Sequence, residues 1–181
     1  MGRRNRMQID RIDEWRLTPD LDREIATLLD AAFGTGFDGR SFYKQRHHLR
    51  LTARDGGRLI GHMALGLRAI RLDGDLTDIV GLAEVATHPD TRGRGVASEL
   101  LKEAIGAAEE TMAPFLLLFG TAGLYAAHGF RPVDSVMRFT NLDDAQTRGV
   151  GEAPATDLMV RELGSRRWPE GAKVDLVGWV F

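Results

Sequence analysis

Read from the N-terminus, the first apolar positions to recur at helical spacing lie at about residues 20–33, where Leu21, Ile25, Leu28, Leu29, Ala32 and Phe33 share one face. Thr18 can cap this helix, Pro19 suits its first position, and Asp20 and Asp22 complement the positive end of its dipole. Gly34-Thr35-Gly36 ends it. The pattern predicts a second helix over roughly 41–49. The period then changes from helical to alternating. A short strand near 49–53 should turn at Asp55-Gly56-Gly57, and a longer one should run over 58–72 to the hairpin signal Asp73-Gly74. A third strand is expected over about 76–87.

After the stretch HPDTRGRG, Ala97, Leu100, Leu101, Ala104, Ile105 and Ala108 form a helical stripe, and Pro114 forces that helix to stop by about Met112. FLLLFG (115–120) is apolar throughout, as a strand buried on both faces would be. A short helix, GLYAAH, runs into Gly129-Phe130. Strands are plausible over 133–139, 157–162 and 174–180, and 141–154 reads as a loop. With no repeat and no long linker, the chain is expected to be one domain over 1–181, with 155–181 as a C-terminal strand extension. Antiparallel strands come first and helical crossovers follow, so the fold class is α/β: an N-terminal antiparallel meander, then parallel strands, flanked by helices.

Composition narrows the function classes. A 181-residue chain that is 43% hydrophobic and 28% charged can build an ordinary core. A net charge of −2 argues against a general nucleic-acid binder. The basic opening MGRRNRM has no apolar run behind it, Arg6 breaks the myristoylation pattern, and no stretch reaches the length of a membrane span. A cytoplasmic protein without membrane or nucleic-acid partners is expected. The absence of cysteine removes disulfides, thiolate metal sites and any cysteine nucleophile. None of His47, His48, His62, His88 and His128 falls into a metal-ligand spacing, so no metal is expected.

The chemistry concentrates at His88–Ala97, HPDTRGRGVA, where a strand ends in a glycine-rich turn that opens a helix. Such a turn presents unpaired backbone N–H groups to an anion, aided by the helix dipole. It is not a Walker A loop, because GxxxxGK followed by Ser or Thr is missing. As a dinucleotide fingerprint it is weak: Gly93–Ser98 gives only GxGxxS, and the following strand, FLLLFGT, lacks the terminal acid.

Arg92-Gly93-Arg94-Gly95-Val96-Ala97 matches Gln/Arg-x-x-Gly-x-Gly/Ala, the pyrophosphate loop of the GCN5-related N-acetyltransferase (GNAT) superfamily. EVATHPDTRGRGVASELL resembles that superfamily's strand–loop–helix core, and GLYAAHGF resembles its later Tyr-x-x-x-Gly-Phe signature. The resemblance covers roughly 51–139 and implies the GNAT fold with acetyl-CoA as co-substrate. It implies that the backbone of Val85, Ala86 and Thr87 pairs with the pantetheine arm. The amides of Arg92, Gly93, Arg94, Gly95, Val96 and Ala97 would receive the pyrophosphate. Tyr125 stands where the superfamily's general acid stands, and a tyrosine suits that task because its pKa lies near that of a thiol. Glu84 interrupts an apolar strand, where an unpaired charge is costly, and is the candidate base, with Val85 N–H as oxyanion donor. A bulge would turn Glu84 to the other face, and pairing with an arginine would give it a structural role. The missing cysteine favours direct attack by the amine in a ternary complex.

His62 reads as a satisfied histidine in an alternating strand, and His128 likewise. His47 and His48, with Arg46 and Arg50, could line the acceptor side or form a solvated face. The tail RWPEG (167–171), followed by VDLVGWVF, is similar to aminoglycoside 2′-N-acetyltransferases and, through Trp-Pro-x-Gly, to nodulation N-acyltransferases. It departs from the former where acids are expected: Trp179 and Gly36 occupy two such positions, and Ala83 aligns with their strand glutamate. The resemblance therefore implies N-acetyl transfer to a small-molecule amine, with an amino sugar among the candidates. The alternatives are a non-catalytic CoA-binding module or a longer acyl donor. The apolar late strands could pair across a homodimer.

Overall fold

The computed structural model describes residues 7–121, 123–143 and 146–177. The elements in chain order are β1 (Gln8–Asp13), α1 (Pro19–Phe33), β2 (Leu49–Asp55), β3 (Arg58–Leu72), β4 (Asp75–Thr87), α2 (Val96–Glu109), β5 (Phe115–Phe119), α3 (Gly123–Ala127), β6 (Arg131–Pro132), β7 (Ser135–Asp143), β8 (Gln146–Pro154), β9 (Leu158–Glu162) and β10 (Ala172–Asp175). The chain divides into two compact units: 1–66 with 82–107, and 67–81 with 108–181. The long strands β3 and β4 each contribute to both.

In the first unit the strand order is β1-β2-β3-β4. β1 pairs antiparallel with β2 from Gln8↔Arg54 to Asp13↔Leu49, and β2 pairs antiparallel with β3, with an irregularity at Ala53/Arg54. Thr18 caps α1 by accepting from the Leu21 amide, with Pro19 at the first turn. The apolar face of α1, Ile25, Leu28 and Leu29, closes a core with Phe37, Leu59 and Ala86. Helix α2 comes down on β3 at Gly61, where an added Cβ would lie 2.6 Å from Val96 Cγ1 and 2.8 Å from Leu100 Cδ1. A glycine there lets the start of α2 approach the sheet, and this anchors the loop that precedes the helix.

In the second unit the order is β6-β9-β5-β4-β3-β10-β7-β8. Here β4 and β5 run parallel over Ile79↔Phe115, Val80↔Leu116 and Gly81↔Leu117. β10 is parallel to β7 and antiparallel to β3, so the sheet is mixed. Its core is apolar: Phe115 meets Trp168 edge-on at 5.1 Å between centroids, among Ile70, Leu72, Leu158 and Val174.

Two expectations are corrected, and one strand was not foreseen. No helix forms over 41–49; the first unit's only element between α1 and β2 is a single 3-10 turn at Thr35–Phe37. The backbone of that segment bonds elsewhere instead: Tyr43 N–H to Glu84, His48 N–H to the Leu65 carbonyl, and the Ser41 carbonyl to Arg50. The 141–154 loop is mostly strand, because β8 pairs antiparallel with β7 from Val136↔Pro154 to Asp143↔Gln146. Its Gly151 is covered by the partner strand: Phe139 pairs with it and lies over it. β1 is a strand that the polar sequence QIDRID did not announce. Of the expected terminal strand, β10 forms over Ala172–Asp175, while Trp179 lies outside the described residues.

Candidate active site

The loop after β4 begins with a 3-10 turn over Pro89–Thr91. His88 Nδ1 accepts from the Asp90 amide at 3.2 Å, and the Thr91 hydroxyl donates to the His88 carbonyl at 3.0 Å. The chain then passes through Gly93 and Gly95 at φ +76° and +80°, and a Cβ added at either would meet nothing within 4 Å. Both glycines therefore serve a left-handed backbone facing open space. The Glu99 amide donates to Gly95 O at 3.0 Å, which opens the helical ladder of α2 and sets the positive end of the helix at this turn. The loop arginines are turned to the protein: Arg92 donates to the Ala32 carbonyl and Arg94 pairs with Asp55 at 3.0 Å. What the loop offers an anion is backbone N–H.

The residues expected to carry the acyl arm, Val85, Ala86 and Thr87, lie on β4 beyond the three-residue register with β5 that ends at Gly81↔Leu117. Just before them, Glu84 sits at φ +52° inside the strand. A non-glycine in that region costs roughly 1–2 kcal/mol and persists only where its surroundings hold it. Here they do. His62 Nδ1 donates to the Glu84 carbonyl at 2.9 Å, the Tyr43 amide donates to Oε1 at 2.8 Å, and His47 Nε2 meets Oε2 at 2.7 Å. Arg50 Nη1 stands 3.4 Å from Oε2.

Arg50 is fully buried and belongs chiefly to Glu14, which it grips with Nε at 2.6 Å and Nη2 at 3.0 Å. Arg46 extends the cluster, bridging Glu14 and Asp22 at 3.1 Å each. Burial alone would raise the Glu14 carboxyl, but Arg50 and then Arg46 hold it below the usual carboxylate range. Burial, and then the Arg50 charge, push His62 down to about 3, against the bond it gives the Glu84 backbone. His62 is thus a neutral, satisfied histidine, as its strand position suggested. Arg50 and His47 do not lie on a solvated face: the His47 side chain is 9% exposed and that of Glu84 5%. The pairing of Glu84 with an arginine, open from the sequence, is present. Glu14 had no signal in the sequence, where IDEWRL reads as ordinary surface.

In the second unit Tyr125 is buried on α3, edge-on to Phe130 at 6.0 Å. The Phe130 amide donates to the Tyr125 carbonyl at 3.1 Å, and Gly129 turns at φ +83°. Arg161 Nη1 lies 2.3 Å from where a Gly129 Cβ would be, so a side chain there would be strained at φ +83° and would have to displace the guanidinium. The ring is also close to Gly120, whose Cβ would stand 3.0 Å from Tyr125 Cε2. Burial raises the phenol, so at neutral pH the hydroxyl is a proton donor. Among the described residues no metal-ligating cluster occurs, and no helix is long and apolar enough to cross a membrane.

Comparison with known proteins gives a family. A family model described as an acetyltransferase (GNAT) domain matches residues 16–133. No curated protein matches the chain. Among solved structures, a GNAT family N-acetyltransferase of Escherichia coli (YhbS) in complex with CoA is 21% identical with a TM-score of 0.69, covering 97% of this chain and 92% of that one. A GNAT family acetyltransferase of Brucella melitensis in complex with acetyl-CoA is 21% identical with a TM-score of 0.62, covering 92% and 94%. An IAA acetyltransferase of Bacillus cereus is 18% identical at 0.54, covering 87% and 99%. These similarities show the mixed-sheet fold, and the family match spans well over half of the sequence. The chain belongs to the GNAT acetyltransferase family.

Proposed function

We propose, from that membership as premise, that the chain is an acetyl-CoA-dependent N-acetyltransferase acting on a primary amine of a small molecule. Its acceptor class includes amino sugars and aminoglycoside-like amines, and the domain spans 1–181 in the cytoplasm. The observation that carries this reading is the open backbone cradle at Gly93 and Gly95 running into the N-terminus of α2.

In this reading the amides of Arg92, Gly93, Arg94, Gly95, Val96 and Ala97 receive the pyrophosphate of acetyl-CoA. The backbone of Val85, Ala86 and Thr87 pairs with the pantetheine arm, which the short β4–β5 register leaves a strand edge to accept. The amine nitrogen attacks the thioester carbonyl carbon directly, and Val85 N–H steadies the oxyanion. The N–C bond forms and the C–S bond breaks. One proton leaves the nitrogen towards the Glu84 carboxylate, and Tyr125 Oη–H delivers one to the departing thiolate. The raised pKa keeps the phenol protonated across neutral pH until the thiolate departs.

The chain contains no cysteine, so any thiol released during incubation with acetyl-CoA and an amine comes from CoA. A panel of aminoglycosides, amino sugars, polyamines and amino acids should contain at least one amine that releases thiol above background. Tyr125→Phe should then lower turnover by about ten-fold or more. Tight acetyl-CoA binding without thiol release from any amine would make the chain a binding module instead.

A further inference from the structure

We infer that the proton leaving the amine is taken up at Nδ1 of His47, with Glu84 as the positioning carboxylate behind it. The inference rests on the transferase reading above and moves the proton's acceptor from the Glu84 carboxylate to the imidazole that it holds. Each oxygen of Glu84 is already engaged: Oε1 by the Tyr43 amide, Oε2 by His47 Nε2 and Arg50 Nη1. A carboxylate that accepts from a backbone amide and a guanidinium serves as acceptor at His47 too, so His47 carries its hydrogen on Nε2. The lone pair is thereby left on Nδ1, and among the described residues Nδ1 makes no hydrogen bond.

The charges around the pair favour the same role. Arg50 gives its two short bonds to Glu14 and stands at the longer 3.4 Å from Glu84, while Arg46 is spent on Glu14 and Asp22. Glu84 is therefore the carboxylate of the cluster whose charge is least matched by arginine, and its nearest partner is an imidazole at 2.7 Å. A proton arriving on Nδ1 creates an imidazolium held against that charge. The other imidazole in the cluster, His62, faces Arg50 through Nε2 and gives Nδ1–H to the Glu84 carbonyl, so it has no site for the proton. The amine N–H bond breaks and the N–H bond at Nδ1 forms; as the acetylated product leaves, that proton is released to solvent and solvent returns one to the Tyr125 phenolate, so no net proton is consumed.

The test uses full-length protein. His47→Ala should lower kcat/KM by about 100-fold or more while leaving acetyl-CoA affinity within about two-fold. Added imidazoles should restore turnover in proportion to their basicity, which the filling of a cavity would not do. Nitrogen-15 NMR of the histidine side chains should show His47 as the Nε2–H tautomer, and Glu84→Gln should disturb that signal. Turnover of His47→Ala close to wild type, rescue indifferent to basicity, or an Nδ1–H tautomer would each overturn the inference. If wild type turns over no amine, the transferase reading itself has failed, and the tautomer alone then judges the His47–Glu84 pairing.

Discussion

Where the second unit closes on Phe115, Leu158, Trp168 and Val174, the first closes on Ile25, Leu29 and Leu51 together with a fully buried arginine and a fully buried histidine. The only buried polar side chains of the second core are Thr77 and Ser135 among the described residues, and Ser135 accepts from the Trp168 indole at 3.3 Å. An apolar core stabilises in proportion to the area removed from water and is indifferent to pH. A buried charge cluster costs desolvation that its internal attractions roughly repay, so it adds little net stability. Its presence beside a strand residue held at φ +52° therefore points to chemistry in the first unit. The second unit has no such cluster among the described residues, and its buried Tyr125 packs against Phe130.

The contrast breaks most visibly at Arg50. Arg50→Met keeps the volume but removes the buried cation that Glu14 and Glu84 share, leaving only the half-exposed Arg46 at Glu14, and urea denaturation should show a loss of about 3 kcal/mol. A smaller effect, with a distinctive sign, is expected at His62. The unfolded imidazole takes up a proton as pH falls through 6.5, whereas the folded one resists to about 3. The unfolded state then binds the extra proton, so stability falls as pH falls, at roughly 1.4 kcal/mol per pH unit from this residue. Between pH 6.5 and 5 wild type should show that slope, and His62→Gln should flatten it. Phe115→Leu in the other core should cost about 1 kcal/mol, equal at pH 7 and pH 5; a pH-dependent cost would erase the distinction between the units. Smallest in stability is Gly95→Ala, where strain at φ +80° costs about 1 kcal/mol and no clash occurs. Its larger consequence should be seen in calorimetry as weaker acetyl-CoA binding, since the added Cβ enters the cradle.

The glycine turn before α2 was legible because everything it uses is local. Its glycines, the helix start and the preceding strand are contiguous in HPDTRGRGVASELL, and backbone N–H groups need no distant partner. Helix α1 was legible for the same reason, with its cap, proline and apolar face all within one stretch. The segment 41–49 was misread because its helical spacing competes with bonds from Glu84, Leu65 and Arg50 that no local pattern announces. β1 and β8 were missed because both are polar strands that exist through their partners, β2 and β7. Glu84 could be singled out as a charge in an apolar strand, but its positive φ and its partners could not.

The amino-acid sequence by itself determined the fold class, the glycine turn that opens α2, the phenol at 125 and the lack of any thiol, since each depends on neighbours within a few residues. Only the tertiary structure decided which groups gather at Glu84. Glu14, Arg50 and His62 come from three elements far apart in sequence. They are brought together because a buried charge must be met by an opposite charge or a hydrogen bond, wherever in the chain those groups lie.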